Sequence, residues 1–189
     1  MKRPLLAALA GMLLAPQPGA TQTEPHECYR GRPLPICSSF WITEFALMGP
    51  LPNRFFPYGR VMRWQVGGMS NHGARNAIGA TLVLGLDDVG TSYGLTPRYR
   101  RWLSPGVALD VSAGVLLRGC DGLRVPSFVA QTGVTTGDYV GAVIQVETLR
   151  LEGRRHVTWS GGLKFGSAVG VVAGLVLPLW IIASSIPET

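Results

Sequence analysis

His156, Ser160 and Glu147 are the side chains in this 189-residue sequence whose types suit nucleophilic catalysis. A serine hydroxyl attacks, an imidazole takes its proton and a carboxylate orients the ring. In "HVTWSGGLKF" (156–165) the histidine and the serine fall on one face of an alternating segment, and Glu147 lies in the segment before it. Hydroxyls and imidazoles on a polar strand face also serve as filler, and no catalytic role is assigned to the three. No cofactor or metal is expected. His26, His72 and His156 are scattered, no C-x-x-C pair occurs, and "GLDDVG" (85–90) lacks the ligand spacing of a calcium loop. Asp87 and Asp88 read instead as turn caps.

Thiol chemistry is more specific. Cys28 and Cys37 bracket "CYRGRPLPIC", whose two prolines and one glycine suit a tight loop closed by a disulfide in an exported chain. Cys120 is then the odd cysteine.

Period-two alternation dominates the chain that positions these groups. Eight segments show it: 39–48, 60–69, 76–86, 90–99, 107–118, 125–134, 139–150 and 156–165. The clearest is "VALDVSAGVLLR" (107–118), with Val107, Leu109, Val111, Ala113, Val115 and Leu117 on one face and Asp110, Ser112, Gly114 and Arg118 on the other. Turn chemistry separates them in "DDVG" (87–90), "SPG" (104–106), "TTGD" (135–138) and "LEGRR" (151–155). Pro97 is expected to weaken the end of the fourth segment. The mixed "RYRRW" (98–102) then reads as a turn or a membrane-interface cluster, not a nucleic-acid patch.

Short links between long alternating strands give antiparallel neighbours, and eight of them close most economically into an up-and-down barrel without free edges. The expected fold is all-β: an eight-stranded antiparallel barrel followed by an apolar C-terminal helical segment. One face carries nearly all the large apolar side chains, and the other is small or polar and holds Glu44, Arg63, Asp110 and Glu147. Charged residues are only 15% of the chain. A barrel with a polar outside would need more, so the polar face is expected to point into a narrow lumen, where those four charges pair, and the apolar face toward lipid.

The organisation is read as a signal peptide at 1–20, a disulfide-closed N-terminal loop at 21–38, the barrel at 39–165, and an apolar segment with its tail at 166–189. Lys2 and Arg3 precede an apolar run too short to span a bilayer, the layout of a secretory leader. Gly162, Gly166, Gly170 and Gly174 recur every four residues, so in a helix they would form one smooth stripe for close packing. That helix would either lie on the barrel or anchor it in a membrane; an extended ninth strand is the alternative.

In its alternating strands after a leader, over about two thirds of its length, the chain resembles small bacterial outer-membrane β-barrel proteins. It lacks their terminal aromatic strand and carries the apolar tail they avoid. The resemblance implies a non-enzymatic cell-envelope protein of the outer membrane, structural or handling a small apolar molecule. Membrane lipid is the expected partner, and no nucleic acid is. The alternatives are a periplasmic β domain held by a C-terminal transmembrane helix, and a lipid-modifying enzyme. Small lipid A deacylase barrels use a similar His, Ser and Glu, but their His-x-Ser spacing is absent here because residue 158 is Thr.

Overall fold

The computed structural model describes residues 27–51, 59–88, 90–120, 123–151, 154–172 and 175–176. The leader and Gly174 lie outside the described residues. A two-residue strand, β1 (Glu27–Cys28), lies parallel against the start of β2 (Ser39–Pro50). There follow β3 (Val61–His72), β4 (Asn76–Asp87), β5 (Gly90–Ser104), β6 (Val107–Cys120), β7 (Leu123–Thr136), β8 (Val140–Leu151) and β9 (Arg154–Gly166), each antiparallel to its predecessor. β9 pairs back onto β2, from Glu44↔Gly166 to Pro50↔Ser160, and the eight long strands form a closed up-and-down barrel.

Alternation survives in the burial of every strand. β2 buries Phe40, Ile42, Glu44, Ala46 and Met48 and turns Trp41 and Leu47 outward. β6 buries Ala108, Asp110, Ser112, Leu116 and Arg118 and exposes Val111, Val115 and Leu117.

One end of the barrel, called here the proximal end, holds the β1 side, the turns at 73–75, 105–106 and 137–139, and the chain after β9. The opposite, distal end holds the end of β2 and the starts of β3, β5, β7 and β9. The proximal β7–β8 turn leaves three residues between the pair Thr136↔Val140; Gly137 (φ 61°) and Asp138 (φ 62°) are both left-handed, and the Tyr139 amide donates to the Thr136 carbonyl at 3.2 Å. Aspartate tolerates that conformation better than most residues.

The fourth strand differs from its expected limits. β5 does not end at Pro97 but runs on to Ser104, so "RYRRW" is neither turn nor interface cluster as a unit: Arg98, Arg100 and Trp102 point inward, Tyr99 and Arg101 outward. Proline lacks an N–H to give β6, and the β5–β6 ladder skips 96 and 97. It resumes at Arg98↔Ser112 in the same register, while Pro97 stays paired with Ala80 on the other side. One missing donor interrupts one ladder and leaves the strand intact.

The glycine stripe also lies differently. Gly162 and Gly166 belong to β9, and a short helix begins only after Ser167. These glycines still serve close approach, but of strands. A Cβ on Gly162 would stand 2.0 Å from the Leu47 carbonyl oxygen of β2, and one on Gly170, in the helix, 2.3 Å from that of Thr43. The described part of the helix therefore packs on β2, just past the last β9 pair. Val169, Val172, Leu175 and Val176 are exposed. Among the described residues no helix is long and apolar enough to cross a membrane, which bears only on helices and not on strands.

The β2–β9 ladder has seven pairs against fourteen for β6–β7, and closure is the step most sensitive to it. Gly162→Val forces a side chain into the β2 backbone and is expected to destabilise by at least ~2 kcal/mol in urea titration. Gly49→Ala, where a Cβ meets nothing within 4 Å, is expected to stay within ~0.5 kcal/mol of the parent.

Candidate functional site

The lumen is layered. At the proximal end Phe40, Ile42, Met69, Ala77, Trp102 and Ala108 form an apolar plug, with Cys28 packed against it. Above it lies the loop closed by the Cys28–Cys37 disulfide. Asn71 donates to the carbonyls of Arg32 and Cys37, both at 2.7 Å, and accepts from the Trp102 indole at 3.0 Å, so loop and plug are tied together. Arg30 stacks on the Tyr139 ring and donates to its hydroxyl.

Beneath the plug sits the first ionic cluster. Arg98 donates to both Glu44 oxygens at 2.6 and 2.8 Å and meets Asp110 Oδ2 at 2.8 Å. Arg100 holds Asp110 at 2.7 and 3.1 Å, Glu44 at 3.3 Å and Asp138 at 2.9 Å. Lys164 completes it, 3.2 Å from Glu44 and 3.1 Å from Asp110. The left-handed turn aims Asp138 back over the lumen, where its other oxygen accepts from the Gly31 amide at 3.1 Å. The proximal loop is thus bonded to the ionic core. Gln65 and Gln131, joined at 2.8 Å, extend this cluster toward the middle.

A second cluster fills the distal half. Glu147 accepts from Arg63 at 2.6 Å, Arg118 at 3.0 Å and Ser127 at 2.7 Å, and Arg118 also grips Asp87. Val83, Leu116 and Val129 form one apolar patch within the lumen, and Ala46, Met48, Val61 and Val143 another.

All four charges expected in the lumen, Glu44, Arg63, Asp110 and Glu147, are at most 5% exposed. Arg98, Arg100, Arg118, Lys164, Asp87 and Asp138 join them, giving five acids and five bases among the described ion pairs. Arg118 and Lys164 were readable from strand parity. Arg98 and Arg100 were hidden behind Pro97, and Asp138 depends on turn geometry that alternation does not encode. Among the described residues Arg63 is the least satisfied member, since its Nε and Nη1 have no hydrogen-bond partner there.

The catalytic candidates do not assemble. His156 and Ser160 are four residues apart on one strand, about 13 Å at ~3.3 Å per residue, beyond the reach of a nucleophile–base hydrogen bond. Glu147 is opposite Thr158 and committed to two arginines and a serine. Asp88 accepts from the Gly59 amide at 2.7 Å, consistent with a capping role. Among the described residues no group of three His, Cys, Asp or Glu side chains is arranged to hold a metal ion. Cys120 ends β6.

The cavity beside Asp87, Arg118, Glu147 and Ser160 measures about 30 Å³, room for a water or two and far below the ~300 Å³ at which ligand pockets begin.

The outer wall is the converse of the lumen. Trp41, Leu82, Leu95, Val111, Ile144, Trp159 and Leu163 are all between 45% and 59% exposed. Among the side chains described, the outward positions of β2–β9 carry no carboxylate, and Arg101, Arg124 and Arg155 are their only charges. All three lie near strand ends. The outward apolar run of β6, Val107 to Leu117, extends over ten residue steps. That is ~33 Å along the strand, and a tilt of ~40° projects it to ~25 Å, the height of the apolar band on membrane barrels.

No protein-family model matches the chain, and no curated protein matches it. Among solved structures, a chain described as "De novo design of transmembrane beta-barrels" is similar in backbone, with 10% sequence identity and a TM-score of 0.39 over 73% of this chain and 99% of that one.

Removing one partner from a buried ion network leaves the others desolvated and unpaired, at ~3–5 kcal/mol. Asp110→Asn, which strips three cations of one acceptor group, is expected to cost in that range by equilibrium unfolding. Arg63→Met, which gives up a single hydrogen bond while Glu147 keeps Arg118 and Ser127, is expected to cost clearly less. Equal losses would show that hydrogen bonding within the clusters does not set their stability.

Proposed function

We propose that this chain is a non-enzymatic β-barrel of a cell-envelope membrane, with the outer membrane as its location, acting as a structural, non-conducting element. The observation that carries the reading is the inside-out partition: ten ionised groups neutralise one another in the lumen, while the wall is apolar and free of described carboxylates. A water-facing barrel has no use for that arrangement. Exposed patches of more than a few hundred Å² are rare on soluble monomers, whereas lipid requires a continuous band. The leader-like N-terminus supports export.

The filled lumen argues against transport through the barrel. Eight strands leave room for little beyond side chains, and here the ion pairs and the proximal plug occupy that room. A small apolar molecule, if one is handled, is met on the outer wall. The spacing of His156 and Ser160 speaks against lipid modification by that pair.

Two measurements test this. Val111→Arg places a cation in the middle of the outer wall. In lipid it is expected to cost ~2–4 kcal/mol of stability, but in a soluble barrel an already exposed side chain would change stability by no more than ~0.5 kcal/mol. In planar bilayers the purified protein is expected to show no conductance steps. Stable ion conductance, or recovery in the soluble fraction after export, would overturn the reading.

A further inference from the structure

The loop that covers the proximal mouth has no part in the function proposed above. The chain leaves β1 at Cys28, crosses the mouth and returns at Cys37 to enter β2, and the disulfide between the two cysteines closes it. Gly31 is where the loop meets the barrel interior. A Cβ there would stand 2.6 Å from Arg100 Nη1, 2.8 Å from Phe40 Cε2 and 3.0 Å from Trp102 Cη2, so only backbone without a side chain fits over the ionic core and the plug rings. The Gly31 amide donates to Asp138 Oδ2 at 3.1 Å, while Oδ1 of the same carboxylate accepts from Arg100 Nη1 at 2.9 Å. One turn residue therefore joins the loop to the buried charges.

Little apolar surface seats this loop. Tyr29 and Ile36 are each 55% exposed, and its buried residues are Gly31, Pro33 and Cys37. Apart from the disulfide, its described contacts are two β1 pairs with β2, the packing of Cys28 on the plug, and polar contacts. The polar ones run from Gly31 to Asp138, from the Asn71 side chain to the Arg32 and Cys37 carbonyls, from Arg32 to the Pro105 carbonyl at 3.3 Å, and from Arg30 to Tyr139. Water competes for each of these, so each adds little by itself. The disulfide supplies what they lack, because it restricts the chain to conformations that cross the mouth. Neither cysteine belongs to the eight long strands, so breaking their bond leaves every ladder of the barrel in place.

We propose that the loop is a redox-sensitive lid on the proximal mouth, closed while Cys28 and Cys37 are joined and open once a dithiol reductant has separated them. Cys37 is fully buried and Cys28 half-buried, so a thiolate of the reductant attacks the Cys28 sulfur. The Cys28–Cys37 bond breaks as the mixed disulfide forms, and Cys37 leaves as a thiolate and takes up a proton. The second thiol of the reductant, losing its proton, then displaces Cys28. The protein gains two electrons and two protons, and the reductant ends as a disulfide. Without the crosslink Gly31 lifts off Asp138, and water reaches Arg100 and the Phe40–Trp102 ring pair. The ion pairs below stay in place, so opening uncovers a polar vestibule and not a pore. The lid works in the same way whether the outer wall meets lipid or water.

Hydrogen–deuterium exchange of the full chain in detergent, before and after treatment with dithiothreitol, tests the lid. The parent is measured beside Cys120→Ser, in which no third thiol can join the exchange, and the two are expected to respond alike. Reduction, counted by the mass added on thiol alkylation, is expected to speed exchange of the Gly31 amide about tenfold or more while the β6–β7 ladder keeps its protection. Reoxidation is expected to restore the slow rate. The double variant Cys28→Ser/Cys37→Ser is expected to exchange at the fast rate with or without dithiothreitol. Gly31→Leu is expected to open the loop with the disulfide intact, since its side chain has no room in the seat. A folded barrel whose disulfide dithiothreitol leaves unreduced would overturn the lid, as would a Gly31 amide that stays slow in the reduced chain. Loss of protection in β6–β7 together with the loop would also overturn it, by making the crosslink a support of the whole fold.

Discussion

Pairing of charge inside a tube too narrow for bulk water is the constraint on which the rest of the structure depends. An isolated carboxylate in such a lumen would cost several kcal/mol, and the cost is offset only where geometry and hydrogen bonding are complete. The Arg98–Glu44–Arg100–Asp110–Lys164 cluster approaches that condition: each carboxylate meets all three cations. Its members come from β2, β5, β6 and β9, so the cluster is complete only when the barrel is closed. The same contacts that neutralise the interior also favour one register of the seam, since a one-residue slip would turn Lys164 and Glu44 to the outside.

Side chains of this size inside eight strands demand space elsewhere on the inner surface. Glycine supplies it at positions such as Gly67 and Gly79, where a Cβ would come within 2.0 Å of a backbone oxygen on the adjacent strand. The wall can therefore coil tightly beside bulky arginines, as small barrels require. Glycine content and lumen charge are two sides of one packing solution: the backbone closes in where there is no side chain, and long cations span the width where there is one.

Much of this was legible in the sequence because period-two alternation is written most clearly where one face is uniformly apolar, as in 107–118. Eight strands, their antiparallel order and the Cys28–Cys37 loop follow from alternation, turn residues and cysteine spacing. Alternation says less where both faces are apolar. Phe40, Trp41 and Ile42 are consecutive, and although parity with Glu44 turns Trp41 outward, nothing in their types says that Phe40 and Ile42 plug the lumen. It fails where a breaker is taken at its usual value. Parity was intact through "RYRRW", and Pro97 concealed it although only one hydrogen-bond ladder was affected. Asp138 was beyond reach for another reason, since its role depends on a left-handed backbone that only the folded hairpin enforces. The glycines at 162 and 166 carried a true signal of close approach attached to the wrong element, because spacing by four is even and so marks one face of a strand as well as one side of a helix; Gly170 does lie in the helix and packs on β2.

A neutral lumen has a consequence for the outside. The chain has seventeen basic and eleven acidic residues, and the described ion network takes five of each. The described network is therefore neutral, and the formal excess of +6 is carried by residues that are not part of it, although the buried arginines are what first catch the eye. On the described wall the charge stands at the rims, at Arg101, Arg124 and Arg155, where the apolar band ends. An interior that must be neutral and a described wall that is apolar leave the strand ends as the place on the described barrel where net charge stands.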